Sequence, residues 1–421
     1  MKNKLLFLPL QFFLVYCTGQ NYDPLIPFKE GEIVQCSVDS IEIVGFVPHE
    51  TINDVNVVTP QVAAYLKEID YSTDSDYLHS YVADYRPSIV ADLSLPLPVV
   101  INWDNYPESL QYKIEVSYNK NYQDAFIYFV ADSLSSYCIY NLIPQRDYFV
   151  RVSALMTNNR EIAIKTYNIS TVGDIRQIYI PGSYVGNFRD LGGWICDNNK
   201  KIKYGRLIRG AEVYRCDSGI FMEISSEGIY ELKERLGFSV ELDFGDLWDK
   251  SPLEGYGFEI YKEHNKYGFY AYDSFNRGIR SVEGLTCLHN CLSLVIQKLS
   301  EGKNVYFHCN SGADRTGVLA FFIEALCGVS DSDKSKDYEL SSFWGYYQTE
   351  PYKKMITYLT RKRNSDKCGY RTMVKYIENH FAGITLNEKV YNMCVTDIES
   401  GGLELTQEEI KLLRSTIIEN R

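Results

Sequence analysis

One cysteine and one arginine in this chain have the types and the spacing for phosphate chemistry. Cys309 and Arg315 are separated by five residues in the stretch His308-Cys-Asn-Ser-Gly-Ala-Asp-Arg-Thr-Gly317. A thiolate can attack phosphorus as a nucleophile, and the planar guanidinium of an arginine can hold two phosphate oxygens at once. The stretch therefore predicts a cysteine-dependent reaction on a phosphate ester.

The residues around this pair fit the same chemistry. Gly312 permits a tight backbone turn, the hydroxyl of Thr316 can donate a hydrogen bond to the sulfur, and His308 supports the loop from the preceding position. Backbone N–H groups of such a loop turn inward and bind an anion. The predicted phosphate-binding residues are Asn310, Ser311, Gly312, Ala313, Asp314 and Arg315.

The elements on both sides of the loop must position it. Residues 304–307 form an apolar run that predicts a buried strand, and residues 318–327 predict a helix that ends at Gly328. The positive end of the helix dipole then adds to the inward N–H groups. Surroundings of this kind lower the pKa of a cysteine from about 8.5 to roughly 3.5–7.5, so Cys309 is expected to be a thiolate near neutral pH.

The stretch resembles the signature loop of the protein tyrosine phosphatase superfamily. A second stretch, Asn187-Phe-Arg-Asp-Leu-Gly-Gly193 followed by Gly205-Arg-Leu-Ile-Arg-Gly-Ala211, resembles the opening of a bacterial branch of tyrosine phosphatases, as does Asp314 directly before the arginine. The resemblance covers the chain from about Tyr184 onward. Helix and strand patterns alternate over this part of the chain, which predicts an α/β domain in which helices flank a central sheet, with the site at the carboxyl end of a strand.

Two charged residues of the second stretch have open roles. Arg189 and Asp190 form either a structural ion pair or turn, or they contact the site, and they are taken as supporting residues.

The proton donor for the leaving oxygen is also open between several aspartates. The superfamily's Trp-Pro-Asp pattern is missing, since Trp248-Asp249 has no proline between its members. Asp314 lies in the loop itself, and Asp243 ends a predicted strand where the bacterial branch carries Asp-Leu-Arg, although this chain continues Phe-Gly245. Asp246 and Asp249 are the remaining candidates.

The expected reaction is hydrolysis through a phosphocysteine intermediate, without metal or other cofactor, since the six histidines lack ligand spacing. Asn310 and Ala313 stand where loops for multiply phosphorylated inositol lipids usually carry lysine, which favours phosphotyrosine. Phosphoserine, phosphothreonine and phosphoinositide substrates stay open. So do a catalytically silent binder of phosphorylated ligands and a sulfur transferase or arsenate reductase.

The composition limits the partners. The formal net charge is −12 and the isoelectric point is about 5.1, which is the wrong sign for binding nucleic acid or an anionic membrane. A phosphorylated protein or another phosphate monoester is the expected partner.

The start of the chain resembles an export signal. Residues 1–17 combine a basic start with an apolar run too short to span a bilayer. The run ends in a box similar to that of bacterial lipoproteins, in which Cys17 is lipidated; ordinary cleavage near residues 17–19 is the alternative. The protein is therefore expected in the cell envelope or secreted, and attached to a membrane only through that lipid. The other cysteines are expected to be mostly buried free thiols.

The organisation of the rest follows from periodicity. Residues 85–172 alternate with period two and resemble a fibronectin type III sandwich, with Trp103 on an early strand and Tyr148 as the tyrosine corner. That module is expected to dock a protein partner or to space the enzyme from the envelope. Residues 18–84, with a short helix from Thr59, receive no function, and residues 173–421 form the catalytic domain. A capping box from Thr406 to Glu409 predicts the last helix.

Overall fold

The computed structural model describes residues 41–42, 45–67, 92–181, 186–217, 220–245, 251–263, 278–350, 353–358 and 370–420. The predicted export signal with Cys17, and the candidate acids Asp246 and Asp249, lie outside these residues. Within them, no helix has both the length and the apolar character that crossing a bilayer requires.

The first half of the described chain is built from two antiparallel-rich sheets and one short helix. The larger sheet has the order β1-β7-β6-β3-β4, in which β1 runs parallel to β7, and the smaller sheet pairs β2 with β5. The elements are β1 (His49–Asn56), α1 (Pro60–Lys67), β2 (Val99–Asn102), β3 (Ser109–Ser117), β4 (Phe126–Ala131), β5 (Ser136–Ile139), β6 (Asp147–Met156) and β7 (Glu161–Val172).

An apolar core lies between these two sheets because alternate residues of the strands point inward. Trp103 packs edge-on against Tyr112, with ring centroids 5.2 Å apart. The hydroxyl of Tyr148 accepts a hydrogen bond from the backbone N–H of Ile143 at 2.6 Å. These buried aromatic side chains belong to one continuous cluster.

The segment that the sequence left without a function contributes to both halves of the molecule. Strand β1 extends the larger sheet beside β7, upstream of residue 85, where the predicted β-rich module begins. Helix α1 is the short helix predicted from Thr59, and its Val62 and Tyr65 are buried in the core of the second half. The ring of Tyr65 packs edge-on against Phe343 at 5.3 Å.

The second half of the chain is an α/β domain. Its strands are β8 (Arg189–Asp190), β9 (Lys200–Ile202), β10 (Leu207–Ala211), β11 (Tyr214–Asp217), β12 (Ile220–Glu223), β13 (Val240–Asp243), β14 (Glu259–Lys262), β15 (Val305–Cys309), β16 (Gly345–Glu350), β17 (Lys353–Tyr358) and β18 (Ile418–Asn420). Its helices are α2 (Ser226–Tyr230), α3 (Val282–Ser300), α4 (Asp314–Cys327), α5 (Asp331–Leu340), α6 (Tyr370–His380), α7 (Leu386–Val395) and α8 (Gln407–Ile417).

The central sheet of this domain has the order β14-β13-β15-β10-β8. Strands β14, β13, β15 and β10 are parallel, and β8 is antiparallel to β10. Both faces are covered: Val305 and Phe307 face the cluster that contains helices α3 and α4, whereas Tyr306 faces a second cluster. Strands buried on both faces are typical of parallel sheets. The predicted α/β architecture is confirmed.

The last helix forms as its sequence predicts. Thr406 and Glu409 make the reciprocal hydrogen bonds of a capping box at the start of α8. Ile410, Leu413 and Ile417 recur on one face of the helix and are buried.

A buried polar contact joins the β-rich module to the α/β domain. Asn141, which follows β5, donates from its amide to the carboxylate of Glu231 at 2.7 Å. Its amide oxygen accepts from the N–H of Tyr179 at 2.7 Å, and its carbonyl accepts from Arg176. Because buried polar groups of both halves satisfy each other here, the two halves hold a fixed mutual orientation.

Candidate active site

The cysteine and arginine singled out in the sequence lie at the carboxyl edge of the central sheet. Strand β15 ends at Cys309, and α4 begins at Asp314 after the four-residue connection 310–313. Gly312 has a φ of 63°, and a Cβ atom there would lie 2.1 Å from the carbonyl oxygen of Gly210. A glycine is therefore required at this turn on both conformational and steric grounds.

The sulfur of Cys309 is held in surroundings that favour the thiolate. The hydroxyl of Thr316 donates to the sulfur at 3.2 Å and accepts from the backbone N–H of Cys309 at 2.9 Å. Burial by itself raises the pKa of the thiol, but Arg315 and Thr316 outweigh burial and hold it below its usual value, against the opposing charge of Asp314. The geometry therefore yields an ionisable nucleophile at the end of the strand.

Cys309 is also enclosed, with only 3% of its surface exposed.

Arg315 is anchored beside the loop from the first turn of α4. Its guanidinium donates to the carbonyl oxygen of Phe244 at 2.6 Å and to the side-chain oxygen of Asn310 at 3.1 Å. The residue is buried, which strengthens its attraction for an anion in the loop.

The two described candidates for the proton donor lie at the same edge but in different environments. Asp243 ends β13, next to His308 in the register of the sheet, and its carboxylate accepts from the N–H of Gly245 at 2.7 Å. Asp314 is the first residue of α4, and the hydroxyl of Tyr338 lies 3.5 Å from its carboxylate. Asp243 thus braces a backbone turn, whereas Asp314 belongs to the loop itself.

His308 is a buried cation behind the cysteine. Its Nε2 lies 2.8 Å from a carboxylate oxygen of Glu241, and its ring stacks on Tyr306 with centroids 4.7 Å apart. Burial by itself lowers the pKa of His308, but Asp243 and Glu241 raise it to about 9. The imidazole is therefore protonated at neutral pH. Glu241 is a residue of the site that sequence reasoning did not find.

Arg189 and Asp190 are both buried, and each pairs with a residue other than its neighbour. Arg189 donates to the carboxylate of Asp337 at 2.8 Å and to the side-chain oxygen of Asn187 at 2.9 Å. Asp190 accepts from the N–H groups of Gly192 and Gly205 and pairs with Arg176. Their contacts are those of the structural alternative, and Arg189 reaches the loop through Asn187.

Asn187 and Arg209 make the direct contacts to the loop from below. The amide of Asn187 donates to the carbonyl oxygens of Ser311 and Gly312 at 2.9 and 3.2 Å. Arg209 donates to the carbonyl oxygens of Gly312 and Ala313 at 3.1 and 3.4 Å. The N–H of Gly312, in the same peptide plane as the Ser311 carbonyl, donates to the carbonyl oxygen of Cys309 at 3.3 Å, so the turn is held from both sides.

Buried charged side chains form a cluster under the loop. Arg189 and Arg209 both pair with the single carboxylate of Asp337. Burial raises the pKa of Asp337, but the two guanidinium groups lower it further, so this carboxylate is ionised. Burial raises the pKa of the neighbouring Glu324 well above its usual value, which makes that carboxyl neutral. Two guanidinium groups thus share one ionised carboxylate beneath the loop.

The sequence motifs include Asn187 and Arg209, but no role could be predicted for either residue from the sequence. Asn187 and Arg209 lie in the stretches that resemble the bacterial branch, and Asn187 has a φ of 62°, a conformation that asparagine adopts more readily than most residues. Asp337 lies 148 residues after Arg189 in the chain, and no local pattern links the two.

Within the described residues, no group of three His, Cys, Asp or Glu side chains could hold a metal ion. Seven cysteines are free thiols, and all of them except Cys138 are buried: Cys138, Cys196, Cys287, Cys291, Cys309, Cys327 and Cys394.

Comparison with known proteins places the second half of the chain among the phosphatases. The model of the tyrosine phosphatase family matches residues 180–419. A protein of Cupriavidus necator, provisionally named a tyrosine-protein phosphatase, is 25% identical over 171 residues. The match covers 37% of this chain and 59% of the relative's length.

Proposed function

This chain belongs to the tyrosine phosphatase family, and we propose that its α/β domain hydrolyses phosphate monoesters, phosphotyrosine above all, through a phosphocysteine on Cys309. The proposal depends on the environment of one atom, the sulfur of Cys309. A guanidinium and a hydroxyl lower the pKa of the Cys309 thiol even though burial raises it. Perturbation of this kind marks a nucleophile more often than a structural thiol.

The first half-reaction transfers the phosphoryl group to the enzyme. The thiolate of Cys309 attacks phosphorus in line with the ester oxygen, the S–P bond forms and the P–O bond breaks. Asp314 gives its proton to the leaving oxygen. The guanidinium of Arg315, together with backbone N–H groups of the loop, holds the equatorial oxygens, where the charge develops.

The second half-reaction restores the enzyme. A water molecule attacks the phosphocysteine, Asp314 accepts one proton of that water, the S–P bond breaks and inorganic phosphate leaves. Cys309 returns to the thiolate. Asp314 is favoured over Asp243 because it lies in the loop itself as the first residue of α4, whereas Asp243 ends the neighbouring strand and braces Gly245.

The substrate is proposed to be a single phosphate on a phenol. The loop carries Asn310 and Ala313 between its cysteine and Asp314, so Arg315 is its one fixed cation. Two alternatives differ in measurable ways. A phosphoserine, phosphothreonine or phosphoinositide phosphatase would prefer those substrates in a panel, and a silent binding protein would retain phosphorylated ligands without releasing phosphate.

The decisive experiment measures phosphate release from phosphotyrosine, phosphoserine and inositide substrates by the wild type and by Cys309→Ser, in the presence of a chelator. Turnover that prefers phosphotyrosine, resists the chelator, is blocked by vanadate and is lost in Cys309→Ser supports the proposal. Turnover that survives in Cys309→Ser, or that stops when the chelator is added, contradicts it.

The β-rich module is proposed to be a fibronectin type III-like sandwich that docks a protein partner. Two features support the resemblance: the packing of Trp103 on Tyr112, and the hydrogen bond from the Ile143 N–H to the hydroxyl of Tyr148, which is the geometry of a tyrosine corner. The docking role is tested by partner binding. A protein that binds the wild type should no longer bind when residues on the outer face of the module are replaced.

The protein is proposed to be an exported bacterial envelope protein with a lipid on Cys17. The support is the sequence of residues 1–17. Metabolic labelling with a fatty acid tests it: label should enter the wild type and should not enter Cys17→Ala. Equal labelling of both proteins would contradict lipidation at this residue.

A further inference from the structure

A short segment directly before strand β2 contacts the α/β domain. The N–H of Leu93 donates to the carbonyl oxygen of Phe343 at 3.1 Å, and the carbonyl oxygen of Leu93 accepts from the side-chain amide of Gln177 at 3.0 Å. The side chain of Leu93 is buried in the same apolar cluster as Cys309. Residues 92–94 therefore lie against the catalytic half of the molecule, although the chain then continues into the β-rich module.

This segment contains a buried hydroxyl whose orientation is fixed. The backbone N–H of Ser94 donates to the carboxylate of Asp92 at 2.9 Å, and the hydroxyl of Ser94 donates to the same oxygen at 2.6 Å. Only 4% of the surface of Ser94 is exposed. Because a hydroxyl has one proton to donate, the oxygen of Ser94 is left with its lone pairs to accept a hydrogen bond from another group.

The group that donates to Ser94 is the backbone N–H of Asn187, at 3.2 Å. Asn187 is buried and has a φ of 62°. A buried N–H needs an acceptor, and a positive φ is uncommon for residues other than glycine, so this hydrogen bond helps to hold Asn187 in its conformation. The side-chain amide of Asn187 donates in turn to the carbonyl oxygens of Ser311 and Gly312. Hydrogen bonds thus connect Asp92, through two residues, to the phosphate-binding loop.

A second contact from the first half of the chain reaches the same region. The ammonium of Lys336 donates to the carbonyl oxygen of Leu66, in the last turn of α1, at 3.0 Å. The negative end of a helix dipole favours a cation at this position. Lys336 directly precedes Asp337, the carboxylate that two arginines share beneath the loop. Two separate segments of the first half therefore contact the residues that hold the loop or their immediate neighbours.

We propose that Ser94 is a positioning residue of the phosphatase site, so that residues preceding strand β2 complete that site. The inference rests on the proposed phosphatase function and goes beyond it, because Ser94 lies outside residues 180–419, which match the family model. Ser94 acts through Asn187, whose side chain holds the peptide planes of residues 311 and 312. Because peptide planes are rigid, a displacement of Asn187 displaces the loop, and misplaced phosphate-binding groups lower the rate.

The test is a double-mutant cycle that combines Ser94→Ala with Asn187→Ala. Ser94→Ala removes the acceptor of the Asn187 N–H. In the wild-type background, kcat/KM for p-nitrophenyl phosphate should fall about 2- to 10-fold, the range expected for one neutral hydrogen bond. In the Asn187→Ala background the connection to the loop is already lost, so Ser94→Ala should lower kcat/KM no further. An equal loss in both backgrounds, or no loss in the wild-type background, overturns the proposal.

Ser117 offers a matched control in the β-rich module. Its hydroxyl donates to the carboxylate of Asp124, its oxygen accepts from the N–H of Asn119, and the residue is fully buried. These hydrogen bonds resemble those of Ser94, but Ser117 ends strand β3. Ser117→Ala should therefore keep the wild-type kcat/KM. A loss equal to that of Ser94→Ala would mean that reduced stability, and not the position of the loop, lowers the activity, which overturns the proposal.

Asp92→Ala tests the same connection if Ser94→Ala does not fold. The side chain of Asp92 is only partly buried, so its removal is easier to accommodate. Without this carboxylate the hydroxyl of Ser94 loses its fixed orientation, and kcat/KM should fall in the wild-type background but not in the Asn187→Ala background. The same loss in both backgrounds contradicts the proposal.

Binding of vanadate separates failure of the positioning role from failure of the proposed function. If the wild type does not hydrolyse p-nitrophenyl phosphate, the phosphatase proposal fails, and the positioning role is judged by titration calorimetry with vanadate. Ser94→Ala should raise the Kd for vanadate about 2- to 10-fold. Asn187→Ala should show no further increase when Ser94→Ala is added, and Ser117→Ala should bind as the wild type does. An unchanged Kd in Ser94→Ala, or no binding by the wild type, overturns the positioning role.

Discussion

The side-chain amide of Asn187 donates a hydrogen bond to the main-chain carbonyl of Ser311 at 2.9 Å, across 124 residues of chain. The same amide also reaches the carbonyl of Gly312 at 3.2 Å. One residue of the early motif thus holds two consecutive peptide planes of the phosphate-binding loop. Because a peptide plane is rigid, fixing its carbonyl oxygen also fixes the direction of its N–H group.

Replacing Asn187 by alanine should therefore lower kcat/KM for an aryl phosphate by about 10- to 100-fold. Two hydrogen bonds to buried carbonyls are lost, each contributing about 0.5–1.5 kcal/mol, and the inward N–H groups lose their alignment. Steady-state kinetics with p-nitrophenyl phosphate measures the loss. Asn198→Ala is the control, because Asn198 also has a positive φ, 60°, but lies in an exposed turn. Equal loss in both variants would point to backbone strain instead of loop alignment.

Asp314→Asn should remove the proton donor, whereas Asp243→Asn should leave it in place. We expect kcat of Asp314→Asn to fall about 100-fold for phenyl phosphate and much less for p-nitrophenyl phosphate, whose leaving group needs no proton. The ascending limb of the pH profile should move to lower pH, because the charge of Asp314 raises the pKa of the Cys309 thiol. If Asp243→Asn alone shows these changes, the proton donor is Asp243.

The sequence predicted the local part of the site because that part is continuous in the chain. Cys309, Arg315 and Thr316 are neighbours on one strand, loop and helix turn, and their contacts follow from that geometry. The α/β fold followed from strand and helix periodicity for the same reason. The periodicity of apolar residues predicts local helices and strands, and it does not predict contacts between distant segments.

The support beneath the loop was not predicted because it is assembled from distant segments. Asp337 meets Arg189 and Arg209 only after β8, β10 and α5 have packed together. Strand β1 likewise joins the sheet by a parallel pairing with β7, more than 100 residues later, which turn and hairpin patterns do not indicate. The buried pairing of His308 with Glu241 also depends on the register between two strands of the sheet.

Thr316→Val should make the thiolate of Cys309 harder to form. The wild-type hydroxyl donates to the sulfur at 3.2 Å and helps to lower the pKa of the thiol against burial, which raises it. A hydrogen bond to a charged group contributes about 1.5–3 kcal/mol, so alkylation by iodoacetate at pH 6 should slow by about tenfold or more. Thr316→Ser keeps the hydroxyl and should behave as the wild type. Unchanged alkylation of the valine variant would show that Thr316 does not stabilise the anion.

The buried pair of His308 and Glu241 should make stability depend on pH in a defined window. The pKa of His308 is about 9 in the folded protein, raised by Asp243 and Glu241 although burial lowers it, whereas an unfolded histidine has a pKa of about 6.5. A raised pKa adds stability that is fully present below pH 6.5 and is lost as the pH rises through 9. The difference between these two pKa values corresponds to about 3 kcal/mol of folding free energy.

Urea unfolding at pH values between 6 and 9.5 tests this effect by comparing the wild type with Glu241→Gln. Glutamine keeps a hydrogen-bond acceptor for His308 but removes the charge, so the pKa of His308 should fall and the free energy of unfolding should decrease most below pH 6.5. The two proteins should converge toward pH 9, because the wild-type imidazole then loses its proton as well. The lowered pKa of the Cys309 thiol makes stability increase with pH. This contribution is the same in both proteins, so it cancels when the two are compared. A stability difference that is constant across the window would show that His308 is neutral in the folded protein.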